Sequence, residues 1–264
     1  MKIKKINLVY FSATYTTRKV LRKIAASFHM EEIHEFDITQ KGPANTIQFD
    51  AEELVLFGVP VYSGRIPKKA HEMLLQFSGN NTPAVIVCVY GNREYEDALI
   101  ELKDIVESHG FRIISAGAFI AQHSIFSKVA LGRPDEKDLE IIQEFGNKSA
   151  ELVKGIENID LLPEINVKGN HPYREVGASN PTPIVVDESC NSCGTCVDRC
   201  PMQAITIQNP RETDYTKCIS CGRCIVVCPL SVRHFGGEVF ESRAPIFEAA
   251  LSGRKEPEII FATN

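Results

Sequence analysis

Eight of the nine cysteines fall between residues 190 and 228, in two runs of one spacing. Cys190, Cys193, Cys196 and Cys200 are followed by Pro201, and Cys218, Cys221, Cys224 and Cys228 by Pro229. Each run reads C-x2-C-x2-C-x3-C-P, and the second repeats the first 28 residues further on. Such crowding leaves little sequence for an apolar core, so whatever the thiols hold must organise the local chain. The N-terminus carries no apolar leader with a small-residue cleavage site, which points to the cytoplasm, where thiols stay reduced and bind metal rather than pair. Zinc ribbons also use C-x2-C pairs, but they take four ligands as two separated pairs. Two runs of four, each closed by proline, suit paired iron–sulfur cubanes better. Three thiolates at this spacing wrap one face of a cubane and cannot reach its fourth iron, so the fourth ligand comes from elsewhere. Gly194 and Gly222 keep the backbone slim where it passes sulfide, and Pro201 and Pro229 stop the loop from continuing as helix.

This duplicated spacing resembles that of the two-cluster bacterial ferredoxins. The resemblance implies two 4Fe–4S clusters that exchange their fourth ligands. One is held by Cys190, Cys193, Cys196 and Cys228, and the other by Cys218, Cys221, Cys224 and Cys200.

The residues ahead of the repeat follow a different rule. From Ile3 to about Ile156, short β-branched runs alternate with segments of helical period, the pattern of a parallel α/β sheet. Expected strands are Ile6 to Phe11, Ile33 to Ile38, Leu54 to Val59, Ala84 to Tyr90 and Arg112 to Phe119. Helices are expected around Val20 to Phe28, Ile66 to Phe77, Ala98 to Val106 and Pro134 to Lys154, with Pro134 in the first turn. The expected organisation is an α/β domain over 1–160, a Pro-rich linker over 161–186, a cysteine domain over 187–236, and a tail over 237–264 with one short helix near Ala244 to Leu251. The net charge of -5 argues against nonspecific nucleic-acid binding. No apolar run approaches the roughly 18 residues of a membrane span.

The turn after the first strand, Ser12-Ala13-Thr14-Tyr15-Thr16-Thr17, brings hydroxyls and free backbone N–H groups to a helix start, where an anion is attracted. It has no glycine, so the G-x-G-x-x-G loop of a dinucleotide site is absent and a monophosphate fits better. This turn and the five strands resemble flavodoxin, whose doubly wound five-stranded parallel sheet has order 2-1-3-4-5. That resemblance, over about the first 155 residues, implies FMN, with its phosphate at Ser12, Thr14, Tyr15, Thr16 and Thr17. Its isoalloxazine ring would lie between two later loops, one carrying Pro60, Val61, Tyr62, Ser63 and Gly64, the other Tyr90, Gly91, Asn92 and Tyr95. Tyr62 would stack on the ring, Gly64 would let a peptide approach it, and Gly91 and Asn92 would meet its pyrimidine edge through backbone groups.

Other polar residues read more simply. Cys88 sits in an apolar strand and is expected in the core; Glu94 and Asp97 open a helix, where acidic groups suit the dipole. His123 is expected to be a surface or structural residue, and His171 lies in the linker without a visible partner. The whole arrangement resembles the small flavodoxin–ferredoxin fusion proteins of anaerobic bacteria and archaea. That resemblance implies a carrier relaying electrons between FMN, two 4Fe–4S clusters and a redox partner. Two alternatives stand beside it: a flavin-dependent reductase of a small acceptor such as a quinone, dioxygen or a metal complex, its pocket shaped by Tyr62, Tyr95 and His123, and a redox-state sensor.

Overall fold

The computed structural model describes residues 1–177 and 181–263, so residues 178–180 of the expected linker and residue 264 of the tail lie outside the described residues. In chain order its elements are β1 (Lys5–Tyr10), α1 (Thr16–Ala26), β2 (Ile33–Asp37), β3 (Ile47–Phe49), β4 (Glu53–Pro60), α2 (Lys68–Leu74), β5 (Phe77–Gly79), β6 (Thr82–Tyr90), α3 (Ala98–Ser108), β7 (Phe111–Ile120) and α4 (Glu136–Gly155). The cysteine region adds β8 (Ile184–Val186), α5 (Thr195–Arg199), α6 (Arg223–Val226) and β9 (Arg233–Phe235), and the tail adds α7 (Glu238–Ala250) and β10 (Glu258–Phe261).

The main sheet runs β10-β7-β6-β4-β1-β2. Its five parallel strands are those expected, in the order 2-1-3-4-5, and β10 adds a sixth, antiparallel strand beside β7. Both faces are covered, so the central strands are mostly apolar on both sides of the pleat, with Asn7 and Ser115 among the buried polar exceptions. Leu8, Leu56, Val85 and Val87 point to α1 and α4, whereas Val9, Val55, Phe57 and Ile86 point to α2 and α3. Cys88 is fully buried in this second layer, and burial pushes its thiol well above the usual range. The fourth helix begins two residues later than expected: Asp135 is the N-cap, its carboxylate accepting from the Asp138 N–H, and Pro134 lies just outside.

The segment expected to be a plain linker lies as a strap along α3. Ile165 and Val167 are buried in the core. Asp97, itself buried, accepts from Asn170 N (2.8 Å), Asn170 Nδ2 (3.0 Å) and Arg174 N (2.6 Å). His171 does have a partner, Asp104 at 2.6 Å, and Tyr173 donates to the same carboxylate. Burial alone would raise the Asp97 carboxyl, yet these N–H donors hold it below the ordinary carboxylate range. A depressed folded value means that the stabilisation is complete above the unfolded carboxylate value of about 4 and is lost as pH falls through the folded one. The strap is therefore expected to become protease-sensitive in acid before the sheet melts. Asp97→Ala, which strips three donors of their acceptor, is expected to cost about 2–3 kcal/mol in urea unfolding near neutral pH. An unchanged urea midpoint would show the strap to be held by Ile165 and Val167 alone.

Candidate functional site: two cysteine cavities beside a hydroxyl-rich turn

The duplication seen in the cysteines extends to the backbone. Ser192 and Ser220, Gly194 and Gly222, and Gln203 and Ser231 each stand 28 residues apart, and all six have left-handed φ between 51° and 81°. The short helices α5 and α6 start from the two glycines by the same bonds: Val197 N and Asp198 N donate to Gly194 O, and Ile225 N and Val226 N to Gly222 O. Gly is favoured at these starts because φ is positive.

Two cavities result, of about 330 and 350 Å3 when the open space at their mouths is included. The first is lined by Cys190, Cys193, Cys196 and Cys228, the second by Cys200, Cys218, Cys221 and Cys224. Each cavity thus gathers three thiols from one run and the last thiol of the other. Among the described residues, no three His, Cys, Asp or Glu side chains converge closely enough to hold a single ion. The donor set fits a larger cationic core. Burial pushes the Cys221 thiol up to about 12, and the negative charge of Cys224, Cys200 and Cys218 adds to it. Four neighbouring thiolates are sustained only when positive charge replaces their protons. Backbone N–H groups already point at sulfur, Ala204 N to Cys200 Sγ at 3.3 Å and Ser220 N to Cys218 Sγ at 3.4 Å.

Arg233 on β9 ties the two cavities together. It is buried, donates through Nη1 to Pro210 O (2.7 Å) and towards Cys196 Sγ (3.7 Å), and through Nη2 to Thr213 Oγ1 (3.0 Å). Burial pushes the Cys224 thiol in the other cavity up to about 11 against the charge and hydrogen bonding of the same guanidinium.

The second cavity abuts the carboxyl edge of the sheet, where three loops follow β1, β4 and β6. Cys221 and Ile219 pack into the sheet's core layer, and Gly222 lies close to the hydroxyl-rich turn: a Cβ there would stand 3.5 Å from Thr14 Cγ2. In that turn Tyr15 takes φ 66° and caps α1, which starts at Thr16. Ser12 Oγ accepts from Arg18 N (3.1 Å), so its oxygen closes the helix start. Thr14 and Thr16 are half-buried and Thr17 is buried. The N–H groups of Ala13, Thr14, Thr16 and Thr17 have no hydrogen-bond partner among the described residues. Free N–H groups at a helix start are what a phosphate needs.

The β4 loop folds back at Ser63-Gly64, with Tyr62 and Arg65 exchanging backbone hydrogen bonds. Gly64 has φ 84°, its carbonyl accepts from Asp97 N, and a Cβ there would fall 1.7 Å from Glu96 Oε2. Pro60 and Val61 are half-buried at the end of β4. Tyr62 has a densely surrounded hydroxyl; burial, then the neighbouring Cys221, drives it well above the usual phenol value.

The β6 loop is gripped by the tail. Asn92 Nδ2 donates to Leu251 O (3.0 Å) and Gly253 O (2.8 Å), which leaves only its backbone for other partners. Tyr95, expected at the flavin, is fully buried, its ring 5.5 Å from that of Tyr90 and its hydroxyl donating to Glu258 on β10 (2.6 Å). Gly91 is required by His123, whose Cα and ring would lie 2.7–2.8 Å from a Cβ. His123 is packed between Phe126 and Phe247, and its Nδ1 accepts from Ile125 N and Phe126 N, so the neutral ring carries its proton on Nε2. Burial, aided by Arg93, lowers its pKa to about 4. Nitrogen-15 spectra are expected to show this neutral tautomer down to pH 5. Because the folded value is depressed, the associated stability is complete above the unfolded value of about 6.5 and declines as pH falls towards 4. A titration midpoint near 6.5 would place His123 in solvent.

Residues 173–232 match the family described as 4Fe-4S dicluster domain, a match that begins inside the strap. No curated protein matches the chain. Among solved structures, oxidised flavodoxin 1 from Bacillus cereus superposes with a TM-score of 0.44 at 16% identity, over 58% of this chain and 99% of that one. A flavodoxin from the domain Archaea gives 0.37 at 13% identity, over 57% and 99%. Rubredoxin oxygen:oxidoreductase from the anaerobe Desulfovibrio gigas gives 0.38 at 14% identity, over 58% and 37%. Strand order, rather than these superpositions, carries the fold. The chain joins an α/β unit whose parallel strands run in the flavodoxin order 2-1-3-4-5 to a region, residues 173–232, that matches the 4Fe-4S dicluster domain.

Proposed function

We propose that this chain is an electron-transfer iron–sulfur flavoprotein. It holds FMN at the carboxyl edge of the sheet and two 4Fe–4S clusters in the two cysteine cavities, and exchanges electrons with a redox partner. FMN supplies two-electron and one-electron chemistry, and each 4Fe–4S cluster supplies one-electron chemistry. The observation that carries the reading is the direct packing of the second cysteine loop on the flavin edge: Cys221 beside Tyr62, and Gly222 beside Thr14.

In this reading the free amides of Thr14, Thr16 and Thr17, with the Thr14 and Thr16 hydroxyls, hold the phosphate. Tyr62, Ser63 and Gly64 flank one side of the ring, and the Tyr90-Gly91-Asn92 backbone flanks the other. The residues of the second cavity stand next to the flavin edge, and those of the first lie beyond Arg233. Cys193 is exposed, so the first cavity is the one open to a partner. Tyr95 and His123, two of the three side chains expected to shape a pocket for a small acceptor, are turned into the protein, and this favours the carrier over a reductase.

Protein prepared without air is expected to contain about eight irons and eight acid-labile sulfides per chain, with one FMN. Anaerobic photoreduction is expected to bleach flavin and cluster absorbance together within one population of molecules. Zinc in place of iron, or a flavin that reduces while the clusters remain oxidised, would sink the proposal.

A further inference from the structure

The second cysteine loop reaches the hydroxyl-rich turn through one side chain. Arg223 opens α6 between Cys221 and Cys224, is only 3% exposed, and lines the second cavity. Its Nη1 donates to the carbonyls of Ser12 (3.3 Å) and Ala13 (3.0 Å), 211 and 210 residues away in sequence. Its guanidinium carbon lies 4.3 Å from the centre of the Tyr15 ring. In a planar trans peptide the C=O and N–H point to opposite sides. Fastening the Ser12 and Ala13 carbonyls therefore turns the N–H groups of Ala13 and Thr14 away from Arg223, and neither has a partner among the described residues. A second nitrogen of the same guanidinium is unsatisfied: Arg223 Nε is buried without a hydrogen-bond partner among the described residues. A buried donor left so is costly, and an iron–sulfur group in the cavity that Arg223 lines supplies sulfur acceptors.

We propose that Arg223 is a positioning residue that makes the phosphate affinity of the Ser12–Thr17 turn depend on the loaded second cavity. The inference rests on reading that turn as the FMN phosphate site. The cluster fixes the guanidinium, the guanidinium fixes two carbonyls, and their amides then face the phosphate already oriented. A guanidinium serves this geometry because its donors are set in a planar fork, whereas an ammonium is a point charge. The coupling is reciprocal, so FMN binding in turn strengthens retention of the second cluster.

The test compares FMN with riboflavin, which has the same ring system and no phosphate, on iron-loaded protein freed of flavin. Arg223→Met is expected to weaken FMN binding about tenfold, within the usual range of coupling between two sites, while riboflavin affinity stays at the wild-type value. Arg223→Lys, which keeps the charge and loses the fork, is expected to recover part of the loss; it carries the test alone where the Met variant does not retain full iron. FMN affinity equal to wild type in either variant at full iron content, or a parallel loss of FMN and riboflavin, overturns the role of Arg223. Wild-type protein that binds FMN no better than riboflavin overturns instead the reading of the turn as a phosphate site.

Discussion

Cys228→Ser is expected to empty the cavity of Cys190, Cys193 and Cys196 and to leave that of Cys218, Cys221 and Cys224 filled. Sequence proximity predicts the opposite, since Cys228 lies four residues after Cys224 and 32 after Cys196. The difference comes from the prolines and the paired helices. After Cys196 the chain turns through α5 and leaves its own loop at Cys200-Pro201, and the same turn through α6 carries Cys228 across to the first cavity. Iron and sulfide are expected to fall from about eight to about four per chain, in Cys228→Ser and in Cys200→Ser alike. The two variants then part. On the proposed reading the cluster left in Cys228→Ser would be the one beside the flavin edge, so flavin fluorescence is expected to stay quenched, whereas in Cys200→Ser that neighbour is lost and fluorescence is expected to rise. If Cys228→Ser gives the bright protein and Cys200→Ser the dark one, each run of four holds its own cluster and the exchange is wrong.

What the sequence made legible follows from periodicity. Four of the five parallel strands are buried along most of their length and show as largely apolar runs, whereas the edge strand β2 is mostly exposed. The helices carry 3.6-residue stripes, so element order could be read from periodicity, while strand order came from the resemblance to flavodoxin. The tail resisted for the opposite reason. A short helix was expected only from about Ala244, whereas α7 starts at Glu238: only Ala244 of it is buried, Val239 and Ile246 face solvent, and Pro245 interrupts the run, so no stripe marks its first half. β10 is four residues long and gains its place by pairing with β7 and receiving the Tyr95 hydroxyl, contacts that no local pattern encodes. Tyr95 shows the same limit from the other side: an aromatic in a loop after a sheet strand reads as a ligand contact until a distant carboxylate claims its hydroxyl.

The two arginines were missed although the duplication carried a signal for them. Aligned at the 28-residue offset, Arg223 stands where the first repeat has Thr195, and Arg233 where it has Ile205. A buried charge on one side only of an internal repeat marks the point where the copies have taken different work. Arg223 lies at the boundary with the α/β unit, and Arg233 at the boundary between cavities; their counterparts Thr195 and Ile205 are uncharged and line the first and second cavities.

Removal of the second of these charges has the largest expected electrochemical effect. Arg233 is 2% exposed and has polar contacts on both sides, with Cys196 of one cavity and Cys224 of the other. A positive charge there stabilises the more negative, reduced state of a neighbouring cluster. Unit charges about 6 Å apart interact by about 2–3 kcal/mol at an effective dielectric constant of about 20. For a one-electron couple this corresponds to roughly 0.1 V. Arg233→Met, which keeps the length and apolar stem, is therefore expected to lower the potentials of both clusters by that order in protein-film voltammetry, with little change at the flavin. Arg233→Lys is expected to stay near wild type, because the charge survives even though the bonds to Pro210 and Thr213 do not. Should both variants shift equally, those bonds rather than the charge set the potential. Should neither shift, the guanidinium only braces β9, and the asymmetry between the repeats has a purely structural origin.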